Sequence, residues 1–336
     1  MKNKNGSVLI ISLSILAILV IFALGLGQRA AMGLRISRYQ RDSLKALSLA
    51  DSGINRMIFE IMNDTTADYD SLKDSWVNNE TVFKKIAFEN DTSNFAKVGY
   101  LKQNSASYGE DFIYGAQDEE SKICINRIDA SGQDEIKEAL ILAGLPELDA
   151  EEIKKVIAEW INTAAETEPE KKIFKNEPLK QKQELLLILE FYYKNKGTDN
   201  YSLTALQTFN KIKYLFTVFG EGKININTAS EDVLKIIGRA AAKAGAIDAG
   251  YADSLATQII EFRDGANGPF TDQTAVDTFA PPKIEEKNIF DAIKSNFCLK
   301  SNFFMIEVSA QADQTYKNIS SVYDKDKKVM VFWHQS

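Results

Sequence analysis

Apolar residues run almost without interruption from Val8 to Leu26, broken only by Ser12, Ser14 and Gly25. Such a run predicts a membrane helix, since about 18 apolar residues at roughly 1.5 Å each cross most of a ~30 Å hydrocarbon core. A secretory signal peptide is the alternative, with Ala23-Leu24-Gly25 as its small-x-small site, but such peptides have an apolar core of only about 7–15 residues. A buried core helix fits less well, because almost nothing polar interrupts the run. Further on, the pattern changes to threes and fours: Ile36, Tyr39, Ser43, Leu47, Ala50, Ile54, Met57 and Ile61 line one helix face. No Pro occurs from residue 1 to 145, and Gly25, Gly27, Gly33 and Gly53 weaken a helix by about 1 kcal/mol each without ending it. Together the two patterns predict one rod from Ser7 to about Asn63, on the order of 85 Å long. Its first half suits lipid and its second half suits a soluble body.

From about Thr65 to Glu120 the chain is polar, with aromatics at Trp76, Phe83, Phe88, Phe95 and Tyr100 that we expect to pack on the rod; it reads as loops with short strands. An internal repeat follows. Ile125-Asn126-Arg127-Ile128-Asp129-Ala130-Ser131 and Ile224-Asn225-Ile226-Asn227-Thr228-Ala229-Ser230 share Ile, Asn, Ala and Ser at matching places. In each copy the Ser is placed as a helix N-cap, and Asp134, Glu135, Glu231 and Asp232 put negative charge near a helix start. Ile136, Leu140 and Ala143 with Ile153, Ile157 and Trp160, then Val233 and Ile237 with Leu255, Ile259 and Phe262, predict two helical hairpins. Asn126 and Asn225 are expected to fix local turns. A linker from Thr163 to Gln183, with Pro169 and Pro178, joins the units. Phe303 to Ala310, Tyr316 to Tyr323 and Lys328 to Trp333 are β-rich and predict an antiparallel meander.

Composition narrows the functions. The net charge of −7, or −9 without Lys2 and Lys4, argues against a nucleic-acid partner. Cys124 and Cys298 leave open one disulfide or two buried thiols. His334, the only histidine, lies two residues from the end, and the carboxylates form no tight pair beside a Gly-rich loop, an activated nucleophile or a metal-ligand cluster, so no enzyme site emerges. Lys2 and Lys4 precede the span whereas Arg29, Arg35, Arg38, Arg41 and Lys45 follow it, a charge bias that would place the body in the cytoplasm.

The basic leader Met1-Lys2-Asn3-Lys4-Asn5-Gly6, the small residue Ser7, and the apolar run joined to an amphipathic helix containing Ser48-Leu49-Ala50-Asp51-Ser52-Gly53-Ile54 resemble type IV pilin-like proteins. The resemblance implies cleavage between Gly6 and Ser7 by a prepilin peptidase, with the apolar helix retained. Most members carry a glutamate at the fifth position of the mature chain; here that position holds Ile11. In this departure, and in the size of its body, the chain is similar to the K-type minor pseudopilins of type II secretion, general secretion pathway protein K. The resemblance implies an α+β fold in which a long N-terminal helix packs on an antiparallel sheet interrupted by a large all-α insertion with two units of SAM-like or helix-hairpin-helix type. Mapped onto this sequence, the leader is 1–6, the helix 7–64 with the span 8–26, the α/β domain 65–125 and 299–336, and the insertion 126–298 with units at about 126–165 and 225–298. It further implies I- and J-type minor pseudopilins and the major pseudopilin as partners, an inner-membrane location and a periplasmic body, against the charge bias.

Two further expectations come with it. Lys223 to Ser230, Glu231-Asp232-Val233-Leu234, Ile259-Ile260-Glu261-Phe262-Arg263 and Gly268-Pro269-Phe270 also resemble the helix-hairpin-helix region of membrane-anchored competence DNA receptors. Such hairpins hold phosphate on a Gly-x-Gly-type turn, whereas Arg239 to Ala246 reads as a longer turn without that pair and leads into Asp248 and Asp253. Some K-type members bind calcium in the helical domain. After Trp160-Ile161-Asn162 this chain has only Glu166, Glu168 and Glu170 in place of acidic runs, so calcium stays a candidate with no ligands assigned.

Overall fold

The computed structural model describes residues 5–66, 68–88, 93–102, 111–127, 133–161 and 174–336. Helix α1 (Asn5–Met62) is unbroken. Its residues 8–41 are exposed, and among the described residues it is the one helix long and apolar enough to cross a membrane. Ala46, Leu49, Ala50, Ile54, Met57 and Ile61 are buried on its upper half. Ile36 and Tyr39, expected in the same stripe, are exposed because the body begins to cover the helix only near Ser43.

Helix α2 (Glu80–Phe83), β1 (Phe95–Val98), β2 (Tyr100–Lys102), β3 (Asp111–Ile113) and β4 (Gln117–Asp118) follow, and the chain ends in β9 (Phe303–Ala312), β10 (Thr315–Asp324) and β11 (Val329–Gln335). The last three form the expected antiparallel meander, and β1 and β4 pair with the other edge of β9, through Val98↔Val308 and Gln117↔Met305. One face of this sheet closes on α1 through Ala96, Val98, Phe304, Ile306, Val308, Ala310, Ile319 and Tyr323. Gly53 sits where they meet: a Cβ there would lie 3.0 Å from Val308 and 3.2 Å from Val98, so a side chain would push the sheet off the rod. Trp76 and Phe83 pack into this core, and Trp76 meets the Phe304 ring edge-on at 5.0 Å. Phe88 is exposed and Phe95 and Tyr100 are half-buried, so only part of the aromatic set does what the sequence suggests.

Between β4 and β9 lies the helical part: β5 (Ile123–Cys124), α3 (Gln133–Leu142), α4 (Glu147–Ile161), α5 (Glu184–Asn195), α6 (Tyr201–Ile212), β6 (Phe216–Thr217), β7 (Ile224–Asn225), α7 (Glu231–Ala244), α8 (Ala249–Asp264), α9 (Gln273–Thr278), α10 (Ile284–Ile293) and β8 (Phe297–Cys298). The repeat is visible as two closures. A two-residue strand, just before the motif in the first copy and at its start in the second, pairs in parallel with a Phe-initiated strand at the far end, Ile123↔Phe216 in one and Ile224↔Phe297 in the other. Helices α5 and α6, which lie between the two units expected from sequence, fall inside the first closure. A single apolar core joins both sets of helices, with Ile136, Leu140, Ile153, Ile157, Val233, Ile237, Leu255 and Ile259 buried as their spacing predicted. The architecture is the α+β arrangement expected: a long helix, a sheet packed on it, and a large helical insertion.

Candidate functional site

The Gly6–Ser7 bond lies in the first turn of α1, and residues 1–4 lie outside the described set. Ile11 is exposed on the same helix, within the span.

The most densely bonded site is where the second Ile-Asn motif meets the sheet. Asn225 donates to the backbone oxygen of Asp70 (3.3 Å) and to Ser301 Oγ (2.8 Å), and its Oδ1 accepts from the Asn227 amide (2.9 Å). The Asp118 carboxylate accepts from Ser301 Oγ (2.6 Å), from Thr228 Oγ1 and from the Glu120 amide (2.8 Å). Asp70 accepts from the Ser301 amide (2.7 Å) and from Lys325 Nζ (2.8 Å), and Glu120 accepts from the Asn302 amide (2.5 Å). Ser301 thus bridges the loop after α1, the end of β4 and the helical insertion. Burial pushes the Asp118 carboxyl up to about 6 and Glu120 up to about 7, and it raises Asp70 despite the Lys325 ammonium. Next to them Glu119 and Lys122 form a buried ion pair at 2.5 Å; desolvation brings the Lys122 amine down to about 8, and the ammonium holds Glu119 below the usual carboxylate range against its own desolvation. Of these groups Asp118, Lys122 and Thr228 line a cleft of about 520 Å³ whose walls also include Trp76, Ser230 and Arg263.

The two motif asparagines do more than shape local turns. Asn126 bonds Leu179 through both its amide and its carbonyl and also donates to Val218 O (3.0 Å), partners 53 and 92 residues away. Asn225 makes one local bond and two long-range ones, so both residues act as tertiary clamps, because a buried side-chain amide can replace backbone partners on three sides. Asn227, singled out only as part of the motif, exchanges two bonds with the Phe270 backbone at 2.9 Å.

The hairpin that resembles a DNA-binding unit is occupied by the protein itself. Ser230 caps α7 as expected, accepting from the Val233 amide at 3.3 Å, while Ser131 lies outside the described residues. The α7–α8 turn is only Gly245 to Asp248, with Ala246 at φ 53, and not the longer one anticipated, because the Ala-rich stretch Arg239 to Ala244 continues the helix. Asp248 then takes the Gly250 amide at 2.8 Å, placing a carboxylate where a phosphate would have to sit. Arg263 is buried and donates to Ile226 O (3.3 Å) and Ala229 O (2.5 Å), which turns it inward onto the Ile-Asn-Ile-Asn-Thr-Ala-Ser loop.

Cys124 and Cys298 are both free thiols, raised by burial, and His334 is exposed on β11. Residues 162–173, where the calcium reading rests, lie outside the described set. Among the described residues, Asp64, Asp70 and Asp74 bring carboxylate oxygens within 4.8 Å of one another. Each carboxylate already has a donor, Lys325 on Asp70, the Ser71 amide at 2.7 Å on Asp74 and the Thr66 amide at 3.1 Å on Asp64, while Asp64 Oδ2 is buried without a partner. An ammonium 2.8 Å from Asp70 Oδ1 offsets the charge of that one carboxylate and ties the loop to the sheet.

No protein-family model and no curated protein matches the chain. Its fold is similar to that of one chain in the crystal structure of the GspK–GspI–GspJ complex from the enterotoxigenic Escherichia coli type 2 secretion system. The match has a TM-score of 0.62 and 14% identity, and it covers 89% of this chain and 99% of that one. The uncovered part of this chain is far smaller than the helical insertion, so the likeness includes most of that insertion, and at this identity it is a likeness of fold.

Proposed function

We propose that the chain is a K-type minor pseudopilin: an assembly protein, not an enzyme, held in the inner membrane by Val8 to Leu26 with its body in the periplasm. In this reading a prepilin peptidase cuts between Gly6 and Ser7, with the α/β domain at 65–125 and 299–336 and the insertion at 126–298. The mature chain sits at the tip of the type II secretion pseudopilus with I- and J-type minor pseudopilins, starts assembly of the major pseudopilin, and supports export of folded proteins across the outer membrane. The observation that carries it is one continuous α1 whose upper half packs on a sheet interrupted by a bulky helical insertion, in a fold shared with a chain of a GspK–GspI–GspJ complex. Steric bulk favours the tip, because so large an insertion cannot repeat along a packed shaft. Ile11 agrees with it: it lies three residues into the span, where an unpaired carboxylate costs less than the ~2.5–3.5 kcal/mol of a helix centre but still needs a partner, and a tip subunit has no neighbour above it to supply one.

Co-expressed with I- and J-type minor pseudopilins from the same genome, the body is expected to elute with both as one complex in size-exclusion chromatography; elution alone with every combination overturns the tip assignment. Processing gives an independent check. Mass spectrometry from cells holding a prepilin peptidase should find a chain beginning at Ser7, and Gly6→Leu should leave the precursor uncut. A terminus near Leu26 would instead establish an ordinary signal peptide.

A further inference from the structure

The basic residues that follow the span are left unused by the assembly reading. The first 45 residues carry seven Lys or Arg and one Asp, so of the net −7 residues 46–336 hold −13. An acidic body therefore stands on a basic neck. No Asp or Glu occurs from Val8 to Arg41, and Arg29, Arg35 and Arg38 are all exposed. Arg41 is engaged elsewhere, pairing with Asp42 at 2.8 Å and reaching Asp313 of the body at 3.7 Å.

We propose that Arg29, Arg35 and Arg38 form a collar that binds anionic phospholipid headgroups at the mouth of the membrane span; this rests on reading Val8 to Leu26 as a membrane helix. Height supports it. At roughly 1.5 Å per residue, Arg29, Arg35 and Arg38 stand about 5, 14 and 18 Å beyond Leu26, and the headgroup layer occupies roughly the first 5–7 Å. Side chains of a helix lean towards its N-terminus, here towards the membrane, and an arginine stem can lie along the helix with its guanidinium reaching down. Arg29 falls inside the layer, Arg35 leans towards it, and Arg38 stands close enough for a Debye length of about 8–10 Å to matter. Azimuth separates lipid from a partner helix. At about 100° per residue, Arg35 and Arg38 lie roughly 120° and 180° round the helix from Arg29. A partner helix would be met by a one-sided stripe; headgroups surround the rod on every side, which is what a spread of cations fits. The collar would also hold the acidic body at a fixed height above an anionic surface that repels it.

The test uses the full chain in phosphatidylcholine bilayers carrying trace spin-labelled phosphatidylglycerol or phosphatidylcholine, with the immobilised lipid fraction read by electron paramagnetic resonance. Each cation near an anionic surface is worth roughly a fivefold factor at most, so a preference of about threefold or more for phosphatidylglycerol is expected, falling as salt is raised. The preference should fall in R29Q/R35Q/R38Q to the residual level set by Lys2 and Lys4 at the other end of the span, measured in the same variant with K2Q/K4Q added, and should persist in R29K/R35K/R38K, which keeps the charge. Equal immobilised fractions for the two lipids, or a preference undiminished in the glutamine variant, overturns the collar while leaving the membrane helix standing. If neither lipid is immobilised, the membrane reading fails and the collar with it.

Discussion

Raising the pH from 5 to 7.5 is expected to lower the thermal stability of the full chain, because the junction between sheet and insertion is built on buried carboxyls with too few cations. Asp118 is held by Ser301, Thr228 and the Glu120 amide, all uncharged donors, and Glu120 by the Asn302 amide. The charged groups facing Asp118 are Asp70, Lys122 and Glu120, with Tyr100 and Cys298 also close; those facing Glu120 are Asp118, Asp70, Glu221 and Cys298. Lys325 is bonded to Asp70, and Lys122 to Glu119. A carboxyl whose folded pKa lies above its unfolded value binds its proton more tightly in the native chain. Its contribution is complete below the unfolded value, 3.8 for Asp118 and 4.5 for Glu120, and is lost as the pH rises through about 6 and about 7. At about 1.4 kcal/mol per unit the two together contribute on the order of 3–5 kcal/mol. That corresponds to a fall in Tm of roughly 5–15 °C. Asp74, also pushed up to about 6 by burial and by the neighbouring Asp64, acts in the same direction. The depressed carboxylates Glu119 and Glu184 act below this window, and Lys122 begins to offset the loss only near pH 8. Asp118→Asn and Glu120→Gln should each flatten the profile, with the double variant more stable than the parent at pH 7.5 and close to it at pH 5. A parent Tm that is level or rising between pH 5 and 7.5, or a double variant with the parent's slope, would show that these carboxyls stay ionised.

How much of this was legible depended on how far apart the interacting residues lie. The rod was readable because its two signals, an apolar run and a three-four stripe, are local and continuous; only its point of contact with the body depended on the height of the sheet. The meander was readable from alternation, and the second helical unit from the Ile-Asn-Ile-Asn-Thr-Ala-Ser stretch with its Ser230 cap. Helices α5 and α6 were not, since Leu185 to Leu189 is a short unbroken apolar run that gives no period. The parallel closures Ile123↔Phe216 and Ile224↔Phe297 involve strands of two residues, too short for any pattern. The junction network escaped for another reason. Asp70, Asp118, Thr228 and Ser301 sit in separate polar stretches where each looks like a surface residue, and Ser301 bonds residues 231 and 183 positions earlier. A usable hint was present in the second Ile-Asn motif: polar residues alternating with apolar ones at the start of a buried unit require partners.

The largest single-residue effect is expected at Arg263, where a resemblance and a geometry point in opposite directions. In the helix-hairpin-helix resemblance this residue closes the stretch Ile259 to Arg263, at the far end of α8 from the Gly245–Asp248 turn, and if it contacted phosphate its loss would cost DNA affinity and little stability. The structure turns it inward. Its guanidinium donates to the backbone oxygens of Ile226 and Ala229, on the loop that leads into α7, and to Asp264. Burial lowers its pKa, but an arginine remains charged, so the carbonyls and Asp264 are what balance a desolvated cation. Arg263→Met keeps much of the stem volume yet leaves two buried carbonyls without donors, at about 1–3 kcal/mol each. We expect a loss on the order of 3–5 kcal/mol in denaturant unfolding. Arg263→Lys should recover only part of it, since one ammonium cannot reproduce the planar fork that reaches both oxygens. DNA should bind neither parent nor variant with salt-dependent micromolar affinity, because the acidic body and the Asp248 carboxylate oppose phosphate at this hairpin. A stable Arg263→Met chain, together with parental DNA binding that weakens as salt rises and is lost in the variant, would move the hairpin from packing to nucleic-acid recognition and displace the pseudopilin reading.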